Sequence, residues 1–276
     1  MKDGMQKKNG QEKNGQGGNA AYLALAHKLA DEAGKVILPL FRTPLDVENK
    51  AKTGFDPVTQ ADRLAEKVMR RHIEGAHPDH GIFGEEEGQK TGDGEFTWFL
   101  DPIDGTRAFM MGSPLWGTLI ALSQNRRPIL GVVDQPFLNE RFWALDSGSA
   151  FMRNARTTQP IKTRRCASLA DAVLCTTSPD MFAKEDDRTA FMSLSKKVRL
   201  TRYGGDCYNY CLLAAGFIDI VIETGLKPYD VQALIPIIKA AGGRFTTWAG
   251  ESGHNGGQII ACGDARLHDS ILEMLA

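Results

Sequence analysis

The spacing of apolar and polar residues predicts a helical start, an antiparallel middle and a mixed second half. Apolar residues at helical spacing predict an amphipathic helix over residues 20–42, which a Thr-Pro pair ends. Thr59 followed by Asp62 has the form of a capping box, which predicts a second helix to about Gly75. Short apolar runs bounded by turn residues predict the strands of an antiparallel meander. These strands lie at residues 116–122, 129–133 and 141–145.

After residue 165, strand and helix patterns alternate, which is typical of layered α/β proteins. The predicted strands lie at residues 172–176, 198–201, 218–223, 245–247 and 259–261. The predicted helices lie at residues 184–195, 206–215, 231–241 and 265–275. We expect the polar, mixed residues 146–165 to join an N-terminal α+β half, about 19–155, to a C-terminal α/β half, about 156–276.

Composition narrows the class of protein. Of the 276 residues, 42% are hydrophobic, and the net charge of −1 predicts neither a nucleic-acid surface nor a membrane surface. Residues 1–18 are polar and lack the apolar segment of a signal peptide, so we expect a disordered tail. Five cysteines without a C-x-x-C pair favour reduced, structural thiols, and we expect a cytoplasmic protein without membrane association.

The candidate chemistry centres on the turn at residues 98–106, where an apolar run ends in Asp101 and Asp104. Pro102 restricts the backbone on both sides of itself, and Gly105 permits a tight turn before Thr106. This pattern predicts a strand that ends by directing two carboxylates, a carbonyl and free amides into one small volume. A divalent cation and a phosphate need that set of groups.

Three further acids are candidates to join this turn. For each acid taken singly, a purely structural role is the alternative. Asp62 would compensate the dipole of its helix, and Asp230 would cap the helix at 231–241. Glu85, in an acidic run after a predicted short strand, is open to a place in a solvated loop. Together in one pocket they would need a cation, because like charges raise one another's pKa. An all-oxygen ligand set selects Mg²⁺ or Mn²⁺ over Zn²⁺.

The motifs around these acids resemble those of the inositol monophosphatase family. The matching blocks occur in the family's order and span residues 19–275. They are Val-Thr-Gln-Ala-Asp at 58–62, Gly-Glu-Glu at 84–86, Leu-Asp-Pro-Ile-Asp-Gly-Thr at 100–106 and Pro-Tyr-Asp-Val at 228–231. The fold that this resemblance implies is an αβαβα layered sandwich of the inositol monophosphatase and fructose-1,6-bisphosphatase type. It also implies a homodimer.

The resemblance implies a hydrolase that binds two or three Mg²⁺ ions, with Mn²⁺ as an alternative. The implied metal ligands are Glu85, Asp101, the Ile103 carbonyl, Asp104 and Asp230. Asp62, Glu85 and Thr106 are the implied catalytic residues, with Asp62 and Thr106 orienting the nucleophilic water. The backbone amides of Gly105 and Thr106 would hold the phosphate. The implied reaction is direct in-line attack of a metal-activated water on the phosphate ester of a small metabolite.

The substrate end resembles the family's histidinol-phosphatase branch. The block from Arg202 to Cys211, containing Gly-Gly-Asp-Cys-Tyr, carries this likeness. Histidinol phosphate has an ammonium group, so Asp206 is open to pairing with it or to a plain N-cap role. The spacing of Glu223 to Asp230 matches the family's substrate acid. We therefore count Arg202, Asp206, Glu223 and Asp230 among the substrate-binding candidates, with Gly105 and Thr106.

Two other functions stay open from the sequence. One is an inositol-1-monophosphatase, or a phosphatase of another small sugar or nucleotide, although Arg107 and Ala108 replace the Thr-Asn common in inositol phosphatases. The other is a non-catalytic module that binds metal or phosphate. Retention of both Asp62 and Thr106 argues against this module, because a pure binder has no need of a pair that activates water.

Overall fold

The computed structural model describes residues 4–44, 47–50, 57–146 and 148–275, and their side chains except those of residues 4–17 and 57. The elements of the first half are α1 (Gly4–Ile37), β1 (Val47–Asn49), β2 (Pro57–Thr59), α2 (Gln60–Ala76), β3 (Gly81–Gly84), β4 (Gly88–Lys90), β5 (Phe96–Asp104), α3 (Thr106–Met110), β6 (Gly117–Gln124), β7 (Arg127–Gln135), β8 (Glu140–Leu145), β9 (Ala150–Arg153) and β10 (Thr158–Ile161). Those of the second half are β11 (Val173–Thr176), α4 (Glu185–Ser195), β12 (Leu200–Tyr203), α5 (Asp206–Ala214), β13 (Ile220–Leu226), α6 (Pro228–Val231), α7 (Leu234–Ala240), β14 (Arg244–Thr247), β15 (Gly257–Cys262) and α8 (Ala265–Leu275).

Within the described ranges, the strands form two large sheets and the separate pair β1–β2. The first sheet has eight strands in the order β10-β9-β8-β7-β6-β5-β3-β4. Its meander from β5 to β8 is antiparallel as predicted, and β3 runs parallel to β5. The second sheet has five strands in the order β12-β11-β13-β15-β14. Because β3 and β5 are parallel neighbours, the acids that follow Gly84 and Leu100 emerge at the same edge.

Alternating side chains of β6 pack into two different cores. Ile120 and Leu122 lie in a cluster with Leu29 of α1 and Met69 of α2. Leu119 lies in a second cluster, on the other face of the sheet. Successive side chains of β6 point to opposite faces of the sheet, and each of these side chains is buried. The sequence of β6 is therefore a nearly continuous apolar run.

The second sheet is also covered on both faces. Val221 of β13 packs with Tyr210 of α5 and Ile237 of α7, in the cluster that also holds the β6 residue Leu119. Ile222, the next residue in β13, faces a third cluster. This third cluster includes Phe191 of α4 and Ile271 of α8. The layers are therefore α1/α2, first sheet, α5/α7, second sheet and α4/α8, which confirms the predicted αβαβα sandwich.

Two strands lie within residues 146–165, where the sequence analysis predicted no strand. The structure places β9 (Ala150–Arg153) and β10 (Thr158–Ile161) there, as an antiparallel hairpin that extends the first sheet. The first three residues of β10 are exposed and one is Pro160, which an edge strand tolerates. A polar edge strand lacks the alternation that identifies a half-buried one, so the pattern of apolar residues does not reveal it.

The helix predicted at 231–241 is two helices in the structure. Asp230 lies inside the short α6, one turn after Lys227, and α7 begins at Leu234. Pro236 explains the break, because it has no N–H to donate to the carbonyl four residues earlier in a continuous helix. In α7 itself Pro236 lies in the first turn, where this loss has no effect.

The N-terminal helix also differs from its prediction. Helix α1 is assigned from Gly4, so residues 4–18 are helical where the composition predicts a disordered tail. Once a helix is nucleated, each added residue gains a backbone hydrogen bond, which extends α1 outward from its packed part at residues 26–37. The division into halves near residue 155 stays a prediction. In the described part of the chain, no helix is both long and apolar enough to cross a membrane.

We predict that Gly131→Ala destabilises the protein by about 1–3 kcal/mol. A Cβ at Gly131 in β7 would lie 2.0 Å from the carbonyl oxygen of Ala233, so the layers could not approach as closely. Gly75→Ala is the matched control, because a Cβ there meets no atom within 4 Å. Thermal unfolding of both variants tests this. A melting temperature of Gly131→Ala equal to that of Gly75→Ala would contradict it.

Candidate active site

The turn at the end of β5 is held by a hydrogen bond to one of its own carbonyls. The pairing of β5 with β6 shifts register between Asp101 and Asp104, so this stretch bulges out of the ladder. The Thr106 hydroxyl donates to the Ile103 carbonyl at 3.1 Å. Gly105 has φ +90°, and α3 begins immediately after it. The turn therefore places both acids beside a helix start, where backbone N–H groups lack intrahelical partners.

Asp230 joins this turn from the second half of the chain. Carboxylate oxygens of Asp101, Asp104 and Asp230 lie within 4.8 Å of one another. The Asp230 Oδ2 atom accepts the Lys227 backbone N–H at 2.7 Å, which orients the side chain. Asp104 is oriented in the same way, because its Oδ2 accepts the Cys207 N–H at 2.5 Å. The predicted gathering of these three acids is present.

Glu85 approaches the cluster from the end of β3. Its backbone N–H donates to the Leu100 carbonyl at 3.1 Å, which ties it to the neighbouring strand β5. The Lys50 ammonium lies 2.9 Å from one oxygen of Glu85 and 2.9 Å from one of Glu86. Sequence reasoning missed Lys50, because nothing in its surrounding residues shows that β1 ends beside this loop.

Asp62 lies at the start of α2, as the capping box predicts. Its Oδ2 accepts the Thr59 backbone N–H at 2.9 Å, and the Thr59 hydroxyl accepts the Ala61 N–H in return. The other oxygen, Oδ1, is buried and has no hydrogen-bond partner in the described part of the protein. The Oδ1 of Asp101 is also buried and also lacks a hydrogen-bond partner among the described residues. A buried carboxylate oxygen without a partner is costly, so both sites favour a ligand.

Burial and mutual repulsion raise the pKa of these acids. Desolvation is the main cause for Asp62 and Asp104, and it raises the pKa of each to about 6. Burial also raises the pKa of Asp101 well above its usual value, with further contributions from Glu85 and Asp104. The pKa of Asp230 is raised by burial and then by Asp104. A bound cation would reverse this effect by favouring the ionised carboxylates.

The donors in this cluster fit a hard divalent cation. They are carboxylate oxygens, which Mg²⁺ and Mn²⁺ prefer, and the grouping contains no His or Cys among the described residues. The unpartnered Asp101 Oδ1 supplies an independent observation, because it is a buried acceptor that nothing in the described protein satisfies. The site therefore fits Mg²⁺.

Beside the cluster, Glu223 lines a small cavity of about 40 Å³ together with Asp104 and Asp230. Both of its oxygens are held, one by the Thr177 backbone N–H at 2.9 Å and the other by the Tyr210 hydroxyl at 2.8 Å. Burial raises the pKa of Glu223 to about 7. Sequence reasoning did not find Thr177 or Tyr210, since both contacts are long-range.

Asp206 lines both this cavity and a larger one of about 820 Å³. A Cβ on Gly105 would come within 3.2 Å of the Asp206 carboxylate, so this acid adjoins the turn between β5 and α3. Desolvation raises its pKa to about 8, with Asp104 and Glu223 adding to the effect. Arg107, on the wall of the larger cavity, lowers it in part.

Of the substrate-side candidates Arg202, Asp206, Glu223 and Asp230, Arg202 lines neither of these two cavities. It is exposed on the edge strand β12, and its neighbour Tyr203 lines the larger cavity instead. Its proposed contact with substrate stays a prediction. Arg107, which we treated only as a departure from the inositol pattern, does reach the cavity wall. The change from Thr-Asn to Arg-Ala at 107–108 is the signal that identifies this position.

Comparison with known proteins agrees with the geometry. A model of the inositol monophosphatase family matches residues 19–276. The chain is 42% identical over 265 residues to the bifunctional phosphatase IMPL2, chloroplastic, of Arabidopsis thaliana, covering 92% of this chain and 75% of that protein. It is 34% identical to the histidinol-phosphatase of Streptomyces coelicolor, covering 92% and 96%. An inositol monophosphatase structure from Zymomonas mobilis superposes with a TM-score of 0.82 at 42% identity, covering 93% and 98%.

We predict that Mg²⁺ stabilises the protein more strongly at pH 8 than at pH 5. The pKa values of Asp62 and Asp104 rise from 3.8 to about 6 on folding, so without a cation the folded protein binds more protons in that window. Their contribution to stability is present below about pH 4 and is lost as the pH rises through about 6. Mg²⁺ binds the carboxylates in their ionised form, so it binds well only at a pH where these protons have dissociated.

Thermal unfolding with Mg²⁺ and with a chelator, at each pH, measures this difference. Asp104→Asn is the control, and we expect its melting temperature to change little on adding Mg²⁺ at either pH. A shift in wild type that is constant or smaller at pH 8, or a full shift in Asp104→Asn, would show that the cation binds elsewhere.

Proposed function

The chain belongs to the inositol monophosphatase family, and from that premise we propose that it is a Mg²⁺-dependent histidinol-phosphatase, which hydrolyses L-histidinol phosphate to L-histidinol and phosphate. That it is a phosphatase follows from the family, whose members use Mg²⁺. The substrate rests on one observation above all. Two carboxylates, Asp206 and Glu223, line the cavity beside the metal-binding acids, where a substrate with an ammonium group would meet them.

The proposed metal ligands are Asp101, Asp104, Asp230, Glu85 and the Ile103 carbonyl. Bound Mg²⁺ would polarise the phosphate and lower the pKa of a water molecule. The first three ligands already lie within 4.8 Å of one another. Two or three ions, with Mn²⁺ as an alternative, accord with so many acids in one pocket.

Asp62 and Thr106 would orient the attacking water and move its proton. The Thr106 hydroxyl is fixed by its bond to the Ile103 carbonyl at 3.1 Å. Asp62 has one buried oxygen without a partner and a pKa of about 6, so it can accept a proton near neutral pH. The water oxygen would form the new P–O bond as the ester P–O bond breaks. Asp62 would accept a proton from the water that the Thr106 hydroxyl helps to orient, and solvent water would carry this proton on to the departing alcohol oxygen, so that hydrolysis releases no net proton.

The phosphate would be held at the start of α3 by the Gly105 and Thr106 amides. The alcohol would then extend toward Asp206 and Glu223. Burial raises the pKa of these two acids to about 8 and about 7, so both favour a cationic partner that restores their ionised form. A neutral polyol offers no such charge. The relatives named as histidinol-phosphatases, at 34–36% identity, support the same substrate.

An inositol-1-monophosphatase activity is the second candidate. A solved relative described as an inositol monophosphatase is 42% identical, the same value as the plant bifunctional phosphatase. A non-catalytic module is less well supported, because Asp62 and Thr106 are both retained beside the acids.

The proposal also covers the binding partners of the protein and its location in the cell. The substrate would be a small phosphorylated metabolite, and a net charge of −1 gives no support for a nucleic-acid partner. A homodimer and a cytoplasmic location stay proposals; the first rests on family resemblance and the second on five free, buried cysteines. The plant relative is named as chloroplastic, so location varies among similar proteins.

Phosphate release from L-histidinol phosphate and from inositol 1-phosphate, both with Mg²⁺, tests the substrate. We expect a higher kcat/KM for histidinol phosphate and no turnover of either ester with a chelator present. A higher kcat/KM for the inositol ester would favour the second candidate. No turnover of either ester with Mg²⁺ present would favour the non-catalytic module.

Asp206→Asn tests the ammonium contact. We expect kcat/KM for histidinol phosphate to fall about 10- to 100-fold, because a hydrogen bond to a charged group contributes roughly 1.5–3 kcal/mol. Asn tolerates the positive φ of +44° at this position, so the backbone is preserved. Asp180→Asn, on the exposed rim of the same larger cavity, is the control. An equal fall in activity toward inositol 1-phosphate would contradict the contact.

A further inference from the structure

Helix α2 carries a second buried acid, Glu66, one turn after Asp62. Its side chain is fully buried, and the partners of its carboxylate lie in the turn after Glu85 and on its own helix. Its Oε2 accepts the Glu86 backbone N–H at 2.8 Å, and its Oε1 accepts the Glu87 backbone N–H at 2.9 Å. One carboxylate therefore binds two consecutive amides in the turn that follows Glu85.

Arg70, one further turn along α2, completes this arrangement. Its Nε donates to Glu66 Oε1 at 2.8 Å, and its guanidinium also donates to the Gly88 carbonyl. Glu66 is thereby charge-paired, and the turn is held at both of its ends. Residues spaced by four lie on one face of a helix, so Asp62, Glu66 and Arg70 share a face.

Gly84 shows how closely the turn and the helix approach. A Cβ at this position would lie 2.1 Å from Glu66 Oε1. Gly84 is not in the left-handed region, so the need for glycine comes from this contact and not from backbone strain. The space for the Glu66 carboxylate exists because residue 84 has no side chain.

We propose that Glu66, supported by Arg70, is a positioning residue for the metal site. It fixes the turn that carries Glu85 against the helix that carries Asp62, and so sets where these two acids stand relative to each other. The inference rests on the proposed function in one respect, that Glu85 is a metal ligand. It adds residues that neither bind metal nor contact substrate.

Glu66→Gln is the first test variant. A Gln amide nitrogen cannot accept a backbone N–H, so at least one of the two turn amides loses its acceptor. Gly84→Ala is the second, since it displaces the Glu66 carboxylate without altering any charge. Arg70→Lys is milder, because it keeps the positive charge but replaces the two guanidinium nitrogens that bind Glu66 and the Gly88 carbonyl with a single ammonium nitrogen. Glu66→Gln and Gly84→Ala decide the test, and either one that folds suffices.

Matched controls separate positioning from a general loss of stability. Asp219 is also a fully buried carboxylate that accepts an arginine, Arg164, and a backbone N–H, that of Val173 at 2.7 Å. It precedes β13, whereas Asp230 follows the end of that strand. Asp219→Asn therefore breaks the same kind of contact outside the site. Gly75→Ala is the control for Gly84→Ala.

The measurement is calorimetric titration of Mn²⁺ into each full-length variant without substrate, with thermal unfolding in chelator as a check on folding. We expect Glu66→Gln and Gly84→Ala to weaken Mn²⁺ binding about 10- to 100-fold, the range typical when a group behind a metal ligand is removed. The two controls should bind within about twofold of wild type. KM for the ester in saturating Mg²⁺ should change little in Glu66→Gln.

Asp104→Asn distinguishes failure of this inference from failure of the proposed function. Folded Glu66→Gln and Gly84→Ala that bind Mn²⁺ like wild type, while Asp104→Asn does not, would overturn the positioning role alone. Asp219→Asn weakening Mn²⁺ binding as much as Glu66→Gln would also overturn it, since the effect would then be general. A wild-type protein that binds no Mn²⁺ would overturn both proposals.

Discussion

Three carboxylates whose oxygens lie within 4.8 Å of one another are costly to ionise together in a largely buried pocket unless a cation is bound. The cost of burying these carboxylates together is clearest at Asp101. Its pKa is raised well above normal, and one of its buried oxygens has no partner among the described residues. The fold must hold these charges together against their repulsion. A divalent ion held by these acids would remove this repulsion, and the same ion would supply Lewis-acid chemistry for phosphate ester hydrolysis.

The layered architecture supplies the acids from separate elements. Parallel pairing of β3 with β5 brings Glu85 beside the turn of Asp101, and α6 contributes Asp230 from the other sheet's side of the molecule. Backbone N–H groups orient three of the carboxylates: that of Cys207 orients Asp104, that of Lys227 orients Asp230, and that of Thr59 orients Asp62. The acid cluster therefore depends on how the first sheet and α6 pack against each other.

The sequence predicts those parts of this site whose signals are local. The capping box of Thr59 and Asp62, and the stiff turn around Pro102, each lie within a few residues, so pattern and spacing suffice. Lys50 and Tyr210 were not predicted, because their partners are 35 and 13 residues away along the chain. Convergence of the acids came from family resemblance and not from spacing. The edge strand β10 was not predicted, because apolar and polar residues need not alternate along an exposed edge strand.

The central claim is that this acid cluster is a divalent-metal site, and X-ray diffraction from crystals grown with Mn²⁺ tests it most directly. The account predicts anomalous difference peaks bounded by Asp101, Asp104 and Asp230, with Glu85 in contact with at least one of them. Well-ordered crystals with no peak between these carboxylates, or with Mn²⁺ bound only elsewhere on the protein, would contradict it.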